Sequence, residues 1–347
     1  MKLLITSAIA LLFTVNTFAQ KYVSQAKPDG GKEWGYINEK GEFIIEAKYR
    51  KCYKFSSAGL AAIYEDKQYL FITLDGKTLP VETKKFKLSS AFFFGLQGYN
   101  DGMVQIVVDK KWGYLNAEGK LVVELKYDKA SSFNGGFATV KLGDDFYIIN
   151  KSGAETKITD PSVFNVKNFK NGFVPFNTSD KKHGFINAKG EVVVPAKFLA
   201  VGYFINGLVW ARDLDKKIGY INTKGEWIIK PTFQSAKDFD KSTGLARVKF
   251  EDKWCYTDKT GKITTINDTE AWGDFNDGLA KGKKAGKVGY YDSKGSWVIE
   301  AKYEGGRDFK NGFAAIKLNG KWGFINKKGE VVVEPKFSGI KDLELVK

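Results

Sequence analysis

The chain has 347 residues, 43% of them apolar, which is enough to bury a sizeable core. It carries 55 Lys and Arg against 40 Asp and Glu, and a net charge of +15 favours anionic partners. Two cysteines exclude a disulfide framework, and a single histidine argues against a zinc site.

The first segment is a targeting signal by composition. Lys2 precedes a mostly apolar stretch, Leu3 to Phe18, and Thr17-Phe18-Ala19 resembles a small-residue cleavage site. Residues 1–19 are therefore expected to be a secretory signal peptide, and residues 20–347 the exported chain. Loss of Lys2 lowers the net charge from +15 to +14. No later run reaches the roughly 18 apolar residues a membrane span needs. Export argues against nucleic acid as a partner.

Next come short strands. Tyr22 to Ala26, Trp34 to Asn38 and Glu42 to Tyr49 read as three strands, the last two joined by Asn38-Glu39-Lys40-Gly41. Asn at the start and Gly at the end suit a type I turn closed by a residue in the left-handed region. The unit then recurs. Trp34 is followed at its own position by Tyr69, Trp112, Phe146, His183, Ile218, Trp254, Val288 and Trp322, at spacings of 34 to 37 residues and one of 43. Seven residues later a Gly stands in all nine copies, from Gly41 to Gly329. A second Gly precedes the Trp position in eight copies, itself preceded by an aromatic such as Phe133, Phe239 or Phe309. The C-terminal copy, Lys321-Trp322-Gly323-Phe324-Ile325-Asn326-Lys327-Lys328-Gly329, is the clearest.

The pattern resembles the WG-repeat family of bacterial proteins over roughly residues 22–347. The resemblance implies a repeat architecture and brings no common activity, cofactor or ligand. Trp survives in four of the nine copies and the turn Gly in all of them.

A unit of about 35 residues buries too little to offset its ordering entropy, so neighbours must supply half of each core. The expected fold is all-β: about nine three-stranded antiparallel meanders in an open, twisted solenoid, with a closed β-propeller as the alternative. Nine blades exceed the usual four to eight of a propeller, and the first unit reads as complete.

Copy 2 is irregular. Its two landmark glycines, Gly76 and Gly102, lie 26 residues apart instead of 17 to 19, with extra residues within Val81 to Gly95. These include Phe92, Phe93 and Phe94, a candidate apolar contact surface. In copy 8, Lys281 to Lys287 reads as a basic hairpin tip without the features of a phosphate loop.

Little catalytic chemistry is visible. His183 stands in for a packed aromatic, and Cys52 and Cys255 occupy non-equivalent positions, as separate buried thiols would. Acidic residues such as Asp144-Asp145 and Asp213/Asp215 are scattered over hairpin loops. No enzyme, cofactor or metal site is expected. Lysines precede the Trp position in six copies: Lys111, Lys182, Lys217, Lys253, Lys287 and Lys321. A regular array would set them in a row, either as edge charges that discourage sheet pairing or as a track for an anionic partner. The expected function is a non-enzymatic exported binding scaffold for a protein, the alternative a binder of glycan or anionic envelope polymer.

Overall fold

The computed structural model describes residues 21–83, 85–88, 90, 91, 95, 96 and 98–346. Residues 1–19, expected from the sequence to be a signal peptide, and Phe92, Phe93 and Phe94 lie outside the described residues. Strands account for all regular structure among them.

Each repeat is a small antiparallel sheet. The sixth is representative: Ala200–Val201, Leu208–Arg212, Ile218–Asn222 and Trp227–Phe233, hydrogen-bonded in that order. The expected meander of three strands thus gains a fourth, only two residues long. It begins two positions after the preceding long strand ends and is too short to show any alternation. From here the repeats are blades 1 to 9 in chain order, with their first strands innermost.

Two of the connections in a blade follow a recurring pattern. In five blades the first is Asn-Gly or Asp-Gly with positive φ at both residues, as at Asn206 (50°) and Gly207 (79°), a twist that suits a hairpin. The second is the landmark turn. At Asn222 the side-chain Oδ1 accepts the Lys224 and Glu226 N–H groups at 2.9 and 3.1 Å, and Gly225 sits at φ 78°.

The Gly after Trp has a different cause. In six blades the last strand is seven residues long and bulged, for example Val331–Phe337, where the pairing jumps from Trp322↔Phe337 to Phe324↔Val333. The bulge crosses directly over Gly35, Gly113, Gly184, Gly219, Gly289 and Gly323, where a Cβ would strike its backbone. Blades 2, 4 and 7 carry Leu70, Tyr147 and Cys255 at that position. Their last strands are short and unbulged: a single Ile72↔Thr78 bridge, Glu155–Lys157 and Ile263–Thr264.

The sheets close into a ring. Lys21–Lys27 pairs with Trp34–Asn38 on one side, and with Gly339–Ile340 and Glu344–Val346 on the other. Blade 1 therefore takes its innermost strand from the far end of the sequence, and the open solenoid gives way to the closed alternative. The exchange is hidden in the sequence because Gly339-Ile340 looks like one more first strand.

Packing follows the ring. Nine core clusters occur among the described residues, each shared by two consecutive blades, including one that joins blade 9 to blade 1 through Ala315, Phe324, Ala26 and Ile37. In blades 2 to 9 an aromatic at or after the end of the first strand packs on a ring of the previous blade: Tyr36–Phe55, Tyr114–Phe133, Tyr220–Phe239 and Tyr290–Phe309 have centroids 4.6–4.8 Å apart. Five tyrosines also donate their hydroxyls across the interface, each to the carbonyl 17 residues later; Tyr290 to Arg307 is 2.6 Å.

Candidate functional site

The segment after each first strand faces the centre of the ring. In blades 2 to 9 and then the composite blade 1, one equivalent position is occupied by Lys54, Gly98, Ser132, Asn168, Tyr203, Asp238, Asp274, Asp308 and Asp342. Its neighbour in sequence is the buried interface aromatic (Leu343 in blade 1), which repeats, whereas this position varies through blades 2 to 6 and is Asp in blades 7 to 9 and 1. Charge is consequently divided around the channel.

Two cavities result. The larger, of about 820 Å³, is lined by blades 1 to 6 and 9 and carries six basic and two acidic side chains. The smaller, of about 470 Å³, is lined by blades 6 to 9 and carries five aspartates and two lysines. Sequence spacing conceals both groups, because their members lie about 35 residues apart and meet only once the ring closes.

Most of the aspartates are committed to structure. Asp274 accepts Arg247 Nε at 2.7 Å, Asp308 lies 3.2 Å from Lys281 Nζ, and Asp277 accepts the Gly312 N–H at 2.8 Å. Asp240 caps the Ser242-Thr243 turn. Asp238 differs, because blade 6 places Trp210 where blades 7 and 8 place Arg247 and Lys281. Its carboxyl faces the channel yet is crowded by the wall, which holds it above the usual carboxylate range. Among the described residues, no group of three or more His, Cys, Asp or Glu forms a metal-binding cluster.

In the larger cavity Asp342 pairs with Arg307 at 3.2 Å, and Glu344 with Lys310 at 2.7 Å and Lys54 at 3.7 Å. No carboxylate among the described residues lies within ion-pair distance of Arg50, Lys51 or Lys170. Cations cover the ring faces: Lys27 and Lys341 stand 4.9 and 5.5 Å from the Trp34 centroid, and Lys170 5.2 Å from that of Tyr203.

Lys111, Lys182, Lys217, Lys253, Lys287 and Lys321 lie at or just before the start of the third strand of blades 3 and 5 to 9, beside the second-to-third-strand hairpins. Closure turns the anticipated row into an arc. Lys111 is held by Asp128 at 2.7 Å and Lys321 by Asp29; the other four have no ion pair among the described residues. A second set, Lys48, Lys126, Lys197, Lys302 and Lys336, lies on the outermost strands, each 5.3–5.5 Å above the following aromatic ring. In sequence Phe92, Phe93 and Phe94 come between the short paired strands Ser90–Ala91 and Gly95–Leu96.

The remaining polar candidates are structural. His183 opens the third strand of blade 5, and burial, with Lys167 nearby, pulls its imidazole below the usual range. Cys52 and Cys255 are free and buried in different blades, and burial pushes both thiols up.

A closed ring of nine antiparallel blades around a polar channel is a β-propeller built from repeats. The chain belongs to the WG containing repeat family, whose model matches residues 34–69, 112–144, 184–217, 218–254, 289–322 and 322–344. These six matches begin at or beside the six bulge-covered glycines. No sequence among curated proteins matches the chain. The crystal structure of a eukaryotic initiation factor is similar with a TM-score of 0.59 at 11% identity, over 94% of this chain and 98% of that one. BamB from Moraxella catarrhalis is similar with a TM-score of 0.43 at 11% identity, over 82% and 98%. The likeness is one of fold alone. No helix among the described residues is long and apolar enough to cross a membrane.

Proposed function

We propose that this propeller is a non-enzymatic binding scaffold that works outside the cytoplasm and engages a protein partner. One observation carries the reading. Positions that pack blade on blade repeat around the ring, whereas the channel-facing position changes from Lys54 through Ser132 and Tyr203 to Asp308. Packing does not require that variation, and recognition of an asymmetric partner does. The export component rests on Lys2 and the apolar Leu3 to Phe18.

The test is a pull-down from envelope extract with the mature chain at about 50 and 300 mM salt. A discrete protein retained at both salts supports the scaffold, and its absence at both overturns it. The unpaired arc of Lys182, Lys217, Lys253 and Lys287 favours a second reading, an anionic envelope polymer. Retention of polymer at low salt alone would select it. N-terminal sequencing of the envelope-fraction protein tests export, with Gln20 as the expected first residue.

A further inference from the structure

We propose that the larger cavity is a binding site for a short acidic peptide segment; this deepens the scaffold reading and rests on it. A volume of about 820 Å³ suits a few residues of extended chain rather than a folded domain.

The charge left over after internal pairing decides the sign of the ligand. Asp342 and Glu344 are both consumed by Arg307, Lys310 and Lys54. Arg50, Lys51 and Lys170 line the same cavity with no ion pair among the described residues; Lys51 stands over the Tyr64 ring, and Lys170 feels Asp238 only at longer range. Arg50 comes from the connection into blade 2, Lys51 from that blade's first strand, Lys51–Cys52, and Lys170 from the inner segment of blade 5, so the positive charge lies on two walls. A ligand with several carboxylates spaced along a chain meets both. Asp238 and its neighbours line the remaining arc and repel such a ligand from blades 7 and 8, which confines it to the basic side.

The polar, non-ionic groups favour peptide over sugar. Asn100, Asn134 and Asn168 enter the cavity from blades 3, 4 and 5. The Asn168 side chain has no hydrogen bond within the described residues, and its amide can both donate to and accept from a peptide group. Sugars, by contrast, bind by laying a face on an aromatic ring. Here the Trp34 face is flanked by Lys27 and Lys341, and the Tyr203 face is covered by Lys170.

The test uses the full mature chain with fluorescein-labelled hexaglutamate, followed by fluorescence anisotropy at about 50 mM salt. One variant combines Arg50→Gln, Lys51→Gln and Lys170→Gln. A control combines Lys182→Gln, Lys217→Gln and Lys253→Gln, which removes the same charge from the rim. Thermal melts establish that both variants fold. The expected result is an affinity loss of about tenfold or more in the cavity variant and less than about twofold in the control. Equal losses in both would reduce the effect to net charge and overturn the site. Failure of hexaglutamate to bind the wild type would overturn it too. Oligogalacturonate of equal charge, bound as tightly and lost in the cavity variant, would reject peptide in favour of acidic glycan. If the cavity variant still retains the partner found in the pull-down, the scaffold reading survives and the cavity assignment falls.

Discussion

Gly323 lies so close to the Val333 carbonyl that a Cβ on it would collide with the bulged strand of its own blade. Gly323→Ala should therefore force the bulge away and destabilise the protein by about 2–3 kcal/mol. Cys255 occupies the same position in blade 7, where the last strand has no bulge, so Cys255→Ala should cost only about 1 kcal/mol. Urea unfolding of the two variants checks the contrast. Similar losses would disconnect the glycine from the bulge.

The hydroxyl of Tyr290 ties blade 8 to the inner segment of blade 9 by its 2.6 Å bond to the Arg307 carbonyl. Tyr290→Phe keeps the ring packed on Phe309 and leaves that carbonyl without this donor. The expected cost is about 1–2 kcal/mol in urea unfolding. An unchanged midpoint would mean that water replaces the tie at no loss.

Tyr303 has a buried hydroxyl without a hydrogen-bond partner among the described residues, whereas its counterpart in blade 3, Tyr127, donates to Glu155 at 2.6 Å. Val331 stands where Glu155 would be, and Lys302 lies beside Tyr303 as Lys126 lies beside Tyr127. Val331→Glu should recreate the triad and stabilise the fold by about 1 kcal/mol. Val331→Gln supplies the acceptor without the charge and should recover part of that gain. Thermal melts that show no rise for either variant would refute the equivalence.

The repeat length, the turn glycines and the shared cores can all be read from the sequence, because each depends on residues close in the chain. Gly225, for example, is demanded by its own four-residue turn. The short first strands could not be read, since two residues such as Ala200-Val201 carry no period. Ring closure was hidden for another reason: Gly339-Ile340 serves blade 1 while obeying the same local pattern as Gly305-Gly306. The channel was the least readable part. Arg50 and Lys170 share a cavity only because blades 2 and 5 stand around one axis, and no local spacing encodes that. The lysines before the Trp position were visible as a series, and the ring places them on a rim away from the cavity.

Acidification should separate two carboxyl groups. Lys126 and then Tyr127 hold Glu155 below its ordinary value of 4.5, so its ionised form stabilises the fold at neutral pH. That contribution is lost as pH falls below 4.5 and through the folded pKa. Asp238 has the opposite sign. Crowding, only partly offset by Lys170 and aided by Asp274, raises it above 3.8, so its ionised form opposes folding at neutral pH, and the opposition fades on acidification. Glu155→Gln should therefore lower the Tm at about pH 7, and Asp238→Asn should raise it, with both gaps closing towards about pH 3. Melts across that range check the signs. Shifts in the same direction would contradict the assignment.

Ser24 and Lys341, bonded at 2.9 Å across the closure, are 317 residues apart in the chain. The segment that completes blade 1 also brings Lys341, Asp342 and Glu344 to the cavity wall. Blades 2 to 9 can form in turn as the polypeptide emerges N-terminus first, since each needs only its neighbour. The channel cannot, because its wall stays open until residues 339–346 have emerged and folded back on Lys21–Lys27. Emergence from the N-terminus thus acts as a timer, and a chain can hold most of its sheets before its channel has a complete wall.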